Sequence, residues 1–414
     1  MSNVITIDRL GAQGDGIAET PKGPLFVPFT LPGERVNVSS DGRKADLVAV
    51  LNPSPLRVEP PCRHFGICGG CSLQHMEMEA YHAWKRDRVI EALAQKGIET
   101  EVGALVPCAP LSRRRGAMTA RRTDAGMLLG FNSALSHLIV DIEECHVLQP
   151  SIVENLDLLR DLAGLVSRTT QPFRFGVTHS ASGLDVAVEG SGALEGRARQ
   201  TAVDFVMRSG IARLSIDGEI IVEPKKPVVM AGDTAVTPPP GAFLQAVASA
   251  EDAMVGLVGD HLAKSKRVAD LFSGIGTFAL RLAHSSEVHA VEGDAAALAS
   301  LDRAYRFGSG LKKVTNEKRD LFIRPITYKE LDAQFDGLVF DPPRAGAEDQ
   351  AKQLARSQVQ RVAAVSCNPV TLARDLRILI DGGYQLKRVV PVDQFLWSPH
   401  VEAVALLEKP RKRR

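Results

Sequence analysis

The chain reads as an α/β protein in three parts: an amino-terminal β-barrel, an α+β middle domain, and a carboxyl-terminal domain on a doubly wound parallel sheet. Three observations carry this. Beyond about residue 241, buried-type strands alternate with helical stretches, the pattern of a parallel sheet covered on both faces. Before residue 52, short apolar segments are separated by Gly and Pro turns, as in small barrels. Between these blocks, Thr237-Pro238-Pro239-Pro240-Gly241 marks a change of composition. A length of 414 residues allows two or three full-sized cores, and 44% hydrophobic with 24% charged residues is ordinary for a globular chain.

The first block, residues 1–56, has apolar segments at Val4 to Ile7, Leu25 to Val27, Arg35 to Val38 and Leu47 to Leu51. A five-stranded barrel of the oligonucleotide-binding type fits this spacing, as does a generic β domain. Residues 57–240 hold a cysteine-rich loop, a helix over Met76 to Lys96 ending at Gly97, and short strands around a helix near Ile152 to Leu165. Residues 241–414 give strands at Val268 to Leu271, Val288 to Val291, Lys313 to Thr315, Gly337 to Phe340, Val362 to Val365, Val389 to Val392 and Val401 to Leu407. No long helix separates the last two, so they read as an antiparallel addition.

A formal net charge of +1 excludes a global electrostatic case for nucleic acid. Any such surface must be local, and Arg113-Arg114-Arg115, Arg121-Arg122, Lys225-Lys226 and the tail from Lys409 to Arg414 are the candidates. The arginines at 113 to 122 are read equally as a solvated strand face. No apolar run reaches membrane-spanning length and no export signal opens the chain, so a cytoplasmic protein without membrane contact is expected.

Of six cysteines, Cys62, Cys68 and Cys71 share one short loop with Gly66, Gly69 and Gly70, and Cys145 follows far downstream. Without an export signal, such clustering predicts metal rather than disulfides. Four thiolates suit a tetrahedral zinc or an iron-sulfur cluster, and spacing alone favours zinc. Cys108 has no partner in this pattern and reads as a small buried hydrophobe.

The first turn of the third block, Asp270-Leu271-Phe272-Ser273-Gly274-Ile275-Gly276-Thr277-Phe278, lets the backbone and a helix amino terminus approach a ligand. Glu292, after the second strand, suits ribose hydroxyls. A dinucleotide or another adenosine-bearing ligand would satisfy both features. Asp341-Pro342-Pro343-Arg344 follows the fourth strand and Ser366-Cys367-Asn368-Pro369 the fifth, so a carboxylate and a thiol should meet at the carboxyl edge of one sheet. An Asp-Pro-Pro turn is expected in methyltransferases that use S-adenosylmethionine and has no role in a nicotinamide site.

With these residues the chain resembles the 5-methyluridine RNA methyltransferases, among them those with an amino-terminal TRAM barrel and an iron-sulfur cluster. The most specific motifs are Ser366-Cys367-Asn368-Pro369-x-Thr371-Leu372-Ala373-Arg374-Asp375, Asp341-Pro342-Pro343-Arg344 and the four cysteines. The resemblance implies a Rossmann-like class I methyltransferase domain. It assigns S-adenosylmethionine contacts to Gln245, Phe272, Thr277, Glu292, Asp320 and Asp341. It makes Cys62, Cys68, Cys71 and Cys145 ligands of a 4Fe-4S cluster, Cys367 the nucleophile and Glu402 the base, in preference to His400. Thr277 stands where relatives often carry Asn, and Ser273 where Cys is common. A monomer acting on RNA is implied. Relatives acting on transfer RNA typically lack the barrel and cysteine loop, so both point to large-subunit ribosomal RNA, 23S in type.

Uracil carbon 5 is a poor nucleophile toward a sulfonium until a thiolate adds at carbon 6, and a base must later remove the carbon 5 proton. A polar, partly exposed turn predicts a low pKa for that thiol. A cytosine-5 enzyme would carry a second cysteine in the turn after the fourth strand, where Pro342, Pro343 and Arg344 stand. An amino-group methyltransferase would follow Asp-Pro-Pro with an aromatic residue. A non-catalytic RNA-binding or ribosome-assembly protein would not need Cys367 and Glu402.

Overall fold

The computed structural model describes residues 2–134 and 136–410; Arg411 to Arg414 of the basic tail lie outside the described residues. The carboxyl-terminal sheet has seven strands in the order Val314–Lys318, Glu287–Glu292, Arg267–Leu271, Gly337–Phe340, Arg361–Ser366, Glu402–Glu408, Gln385–Val392. The first five are parallel, and Glu402–Glu408 runs antiparallel to both of its neighbours, as its sequence position suggested. Strand order reverses between Arg267–Leu271 and Gly337–Phe340, which opens a crevice at their carboxyl ends. All four residues of Gly337–Phe340 are buried, as expected of a central strand with helices on both faces.

The amino-terminal sheet has six strands rather than five, around a small core that includes Ile7, Val27, Val36 and Val38. Gly16–Thr20 was invisible as a strand because Gly, Ala and Glu in its Gly-Ile-Ala-Glu-Thr sequence break the apolar pattern. Gly16 is needed there: a Cβ would meet Thr30 Oγ1 at 2.0 Å. The middle sheet has seven strands, from Arg115–Thr123 to Glu219–Val222, with a core it shares with the helices Leu156–Val166 and Gly196–Ser209.

One helix binds the parts together. Met78–Ala94 buries Val89, Ala92 and Leu93 in the core of the carboxyl-terminal sheet. From the same helix Lys85 Nζ donates to Asp393 Oδ1 at 2.6 Å and to the Phe395 carbonyl at 2.9 Å, and Tyr81 Oη donates to Asp393 Oδ2 at 2.8 Å. Both charged side chains are fully buried, so the segment between the last two strands is held by a paired, hydrogen-bonded ion pair. No described helix is long and apolar enough to cross a membrane.

Candidate active site

Two turns at the sheet edge are tied to each other. Asn368 caps the helix Pro369–Asp381 through its side-chain oxygen, while its Nδ2 donates to the Arg344 carbonyl at 3.1 Å. Thr371 Oγ1 donates to the same carbonyl at 3.3 Å. The Asn-Pro sequence thus sets the helix start and places half-buried Cys367 against the Asp341 turn.

A hydrogen-bonded chain of side chains runs beside the thiol. Gln245 Nε2 donates to Asp341 Oδ2 at 2.8 Å; Gln394 Nε2 donates to both Gln245 Oε1 and Glu402 Oε1, each at 2.7 Å. The Ala246 amide completes the Gln394 side chain by donating to its Oε1 at 2.7 Å. Glu402 keeps its second oxygen buried with no hydrogen-bond partner. Sequence reasoning missed Gln394, which lies outside every strand and helix.

Burial dominates the electrostatics here. It pushes Asp341 up to about 7 against the Gln245 hydrogen bond. Burial, then the charge of Asp341, pushes Glu402 up to about 8. Cys367 rises to about 11 through burial and the carboxylates of Glu402 and Asp341, which outweigh the Arg344 guanidinium. The low thiol pKa expected from an exposed turn does not match this environment, where burial first and then the two nearby carboxyl groups favour the protonated thiol. His400 faces Arg344 at 3.4 Å, and burial followed by the cations Arg344, Lys85 and Arg113 holds its pKa down.

The remaining expected donor contacts lie at or just beyond the carboxyl ends of the parallel strands Arg267–Leu271, Glu287–Glu292 and Val314–Lys318. Phe272 takes a left-handed φ of 62°, a strained conformation for a non-glycine residue, at the turn after Arg267–Leu271. Its ring lies 5.4 Å from that of Phe322. Gly276 must be glycine, because a Cβ would meet Leu301 at 2.9 Å. Glu292 Oε2 accepts from the Gly274 amide at 3.0 Å, joining the second strand to the glycine turn. Asp320 Oδ1 accepts from the Phe322 amide at 2.9 Å, and Thr277 is half-buried within the turn. Ser273 Oγ is buried without a partner. Burial, reinforced by Asp341 and Glu292, pushes the Asp270 carboxyl well above the carboxylate range. These features fit S-adenosylmethionine.

The four cysteines also draw together. Each of the Cys62, Cys68 and Cys71 thiols is raised first by burial and further by the charge of Cys145. N–H groups face the sulfurs: His64 and Phe65 at Cys62, Gly70 at Cys68, Gln74 at Cys71, and Val147 and Leu148 at Cys145. Such donors stabilise thiolates that ligate iron-sulfur clusters. Among the described residues no group of three or more His, Cys, Asp or Glu side chains is placed to hold a single metal ion. Cys108 is buried, as its isolation suggested.

Strand order and the switch-point crevice are those of a class I methyltransferase fold. A family model described as tRNA (Uracil-5-)-methyltransferase matches residues 189–410. An uncharacterized RNA methyltransferase of Mesorhizobium japonicum is 64% identical over all of both chains. The 23S rRNA (uracil(1939)-C(5))-methyltransferase RlmD of Pectobacterium atrosepticum is 32% identical, covering 97% of this chain and 92% of its own. The crystal structure of Pyrococcus abyssi tRNA (uracil-54, C5)-methyltransferase with S-adenosyl-L-homocysteine superposes with a TM-score of 0.76 at 24% identity, covering 98% of this chain and 99% of that one. The chain belongs to the tRNA (uracil-5-)-methyltransferase family and is an RNA methyltransferase.

Proposed function

We propose that the protein transfers the methyl group of S-adenosylmethionine to carbon 5 of a uridine in large-subunit ribosomal RNA, through a covalent adduct of Cys367 at carbon 6. The observation that carries this reading is the chain Asp341, Gln245, Gln394, Glu402 beside a thiol. Gln245, Phe272, Thr277, Glu292, Asp320 and Asp341 hold the donor, which supplies the methyl group and a positive sulfonium. Positive charge beside Asp341 lowers the carboxyl and thiol pKa values together, so donor binding favours the reactive thiolate.

The thiolate adds to carbon 6, forming the C–S bond, and the ring electrons move onto the carbon 4 oxygen as an enolate. Carbon 5 then attacks the methyl carbon, the S–CH3 bond breaks, and S-adenosylhomocysteine leaves. Glu402 takes the carbon 5 proton, and the C–S bond electrons return to Cys367. A carboxylate held by one oxygen, with its other oxygen unpartnered, suits that proton transfer. The uridine must leave its stack to reach a thiol this deep. Cys62, Cys68, Cys71 and Cys145 hold a 4Fe-4S cluster in this reading, and the reduced thiols suit a cytoplasmic enzyme.

The named activity of the Pectobacterium relative supports ribosomal RNA. A transfer RNA substrate is the second reading, favoured by the full-length likeness to the Pyrococcus protein. Incubating the protein with S-adenosylmethionine and unmodified RNA should yield 5-methyluridine by nucleoside mass spectrometry, and none with Cys367→Ala. 5-Methylcytidine as the product, or full activity in Cys367→Ala, would remove the reading.

A further inference from the structure

The three arginines at 113 to 115 have different surroundings. Arg114 is buried, pairs with Glu251, and donates from Nε to the Gln245 carbonyl at 2.9 Å. Arg115 is half-buried; its Nη1 donates to the Leu244 carbonyl at 3.1 Å, and its guanidinium lies 5.3 Å from the centre of the Phe243 ring. Phe243 is 70% exposed, two residues before the glutamine that reaches Asp341.

Arg115 and Arg174 line a cleft between the middle sheet and the linker at Pro238, Pro239 and Gly241. Two carboxylates also line it, and both are engaged. Asp185 is held by Arg213 at 2.7 and 2.9 Å, and Glu189 pairs with Arg174 at 3.3 Å. Among the described residues Arg115 makes no ion pair, so the cleft holds a partly desolvated guanidinium without a carboxylate. Burial and the neighbouring cations Arg113, Arg174 and Arg114 push its pKa down to about 10. Partly buried charge is unfavourable unless an opposite charge meets it.

We propose that this cleft holds the phosphodiester of a nucleotide flanking the target uridine, with Arg115 and Arg174 on the phosphate and Phe243 against the adjoining ribose or base. Guanidinium forks match phosphate oxygens, and exposed rings stack on bases of any sequence. The site anchors RNA beside the reacting pocket without reading its sequence. It rests on the reading of RNA as the substrate given above.

The test is binding of a short uridine-containing single-stranded RNA as a function of potassium chloride, with full-length wild type, Arg174→Gln, Arg115→Gln and Phe243→Leu. Losing one phosphate contact should lower the slope of log affinity against log salt by about 0.7 in each arginine variant. In turnover, the arginine variants should raise KM for RNA several-fold and leave kcat and S-adenosylmethionine affinity unchanged. Phe243→Leu should weaken binding with the slope intact. Arg174 is exposed, so its variant keeps the test readable if Arg115→Gln perturbs the Leu244 segment. Unchanged affinity and slope in folded Arg174→Gln would overturn the proposal. Inhibition by millimolar inorganic phosphate, with unchanged RNA affinity in the variants, would overturn it in favour of a small-anion site. Absence of 5-methyluridine from wild-type turnover would instead remove the proposed function, since the salt slope is read without turnover.

Discussion

Glu402 and Asp341 are carboxyl groups whose folded-state pKa values lie above their unfolded ones, through burial first. The folded protein therefore binds more protons than the unfolded chain between the two pKa ranges. Stability is fullest below the ordinary carboxylate pKa and falls as pH rises toward about 8. Glu402→Gln should accordingly be more stable than wild type at pH 8, by roughly 2 kcal/mol, with the difference vanishing near pH 4. Urea denaturation at the two pH values checks this, and activity should be lost. Gln394→Ala removes the hydrogen bond that holds the Glu402 pKa down and fixes its direction. The rate should fall by roughly a hundredfold, and the remaining pH–rate profile should move to higher pH. An undisplaced profile would contradict the positioning role. The placement of Cys367 just after one strand and of Glu402 at the start of another was legible because both strands show as apolar runs. The raised thiol pKa was not, because burial, its main cause, and the carboxyl groups that add to it come from other parts of the fold. Gln394 carries no periodic signal, and its role exists only once two turns meet.

At the scale of elements, Met78–Ala94 fastens the segment that leads to Glu402. Lys85→Met leaves Asp393 buried without its cation, and should destabilise the protein by about 3 to 5 kcal/mol. Lys85→Met with Asp393→Leu should recover part of that loss in urea denaturation; equal destabilisation by single and double variants would contradict the pairing. The helix itself was legible from its periodicity and its stop at Gly97, but its partner was not, since ion pairs between distant segments leave no local pattern. Arg113 to Arg115 show the same limit. A basic run reads alike whether it faces solvent, RNA or, as Arg114 does, a buried glutamate and a carbonyl. The cysteine loop has a direct check: anaerobically purified protein should be brown, with about four irons and four sulfides per chain, and Cys145→Ser should lose the colour. Stoichiometric zinc without iron would contradict the cluster.

For the whole molecule, seven strands in a doubly wound order follow from alternation that the sequence shows, and only bounds shifted by a few residues. The amino-terminal sheet was less legible, because Gly16–Thr20 pairs through backbone geometry that its polar and small residues conceal. Choice of RNA belongs to this scale. A strain lacking the gene should lose 5-methyluridine from large-subunit ribosomal RNA and keep it in transfer RNA; the reverse pattern would select the second reading. The covalent step is the central claim, and RNA containing 5-fluorouridine tests it most directly, because fluorine cannot leave carbon 5 as a proton does. With S-adenosylmethionine present, wild-type protein should form a methylated RNA adduct that survives denaturing electrophoresis, attached at Cys367 by mass spectrometry. No adduct, or an equal one in Cys367→Ala, would contradict it.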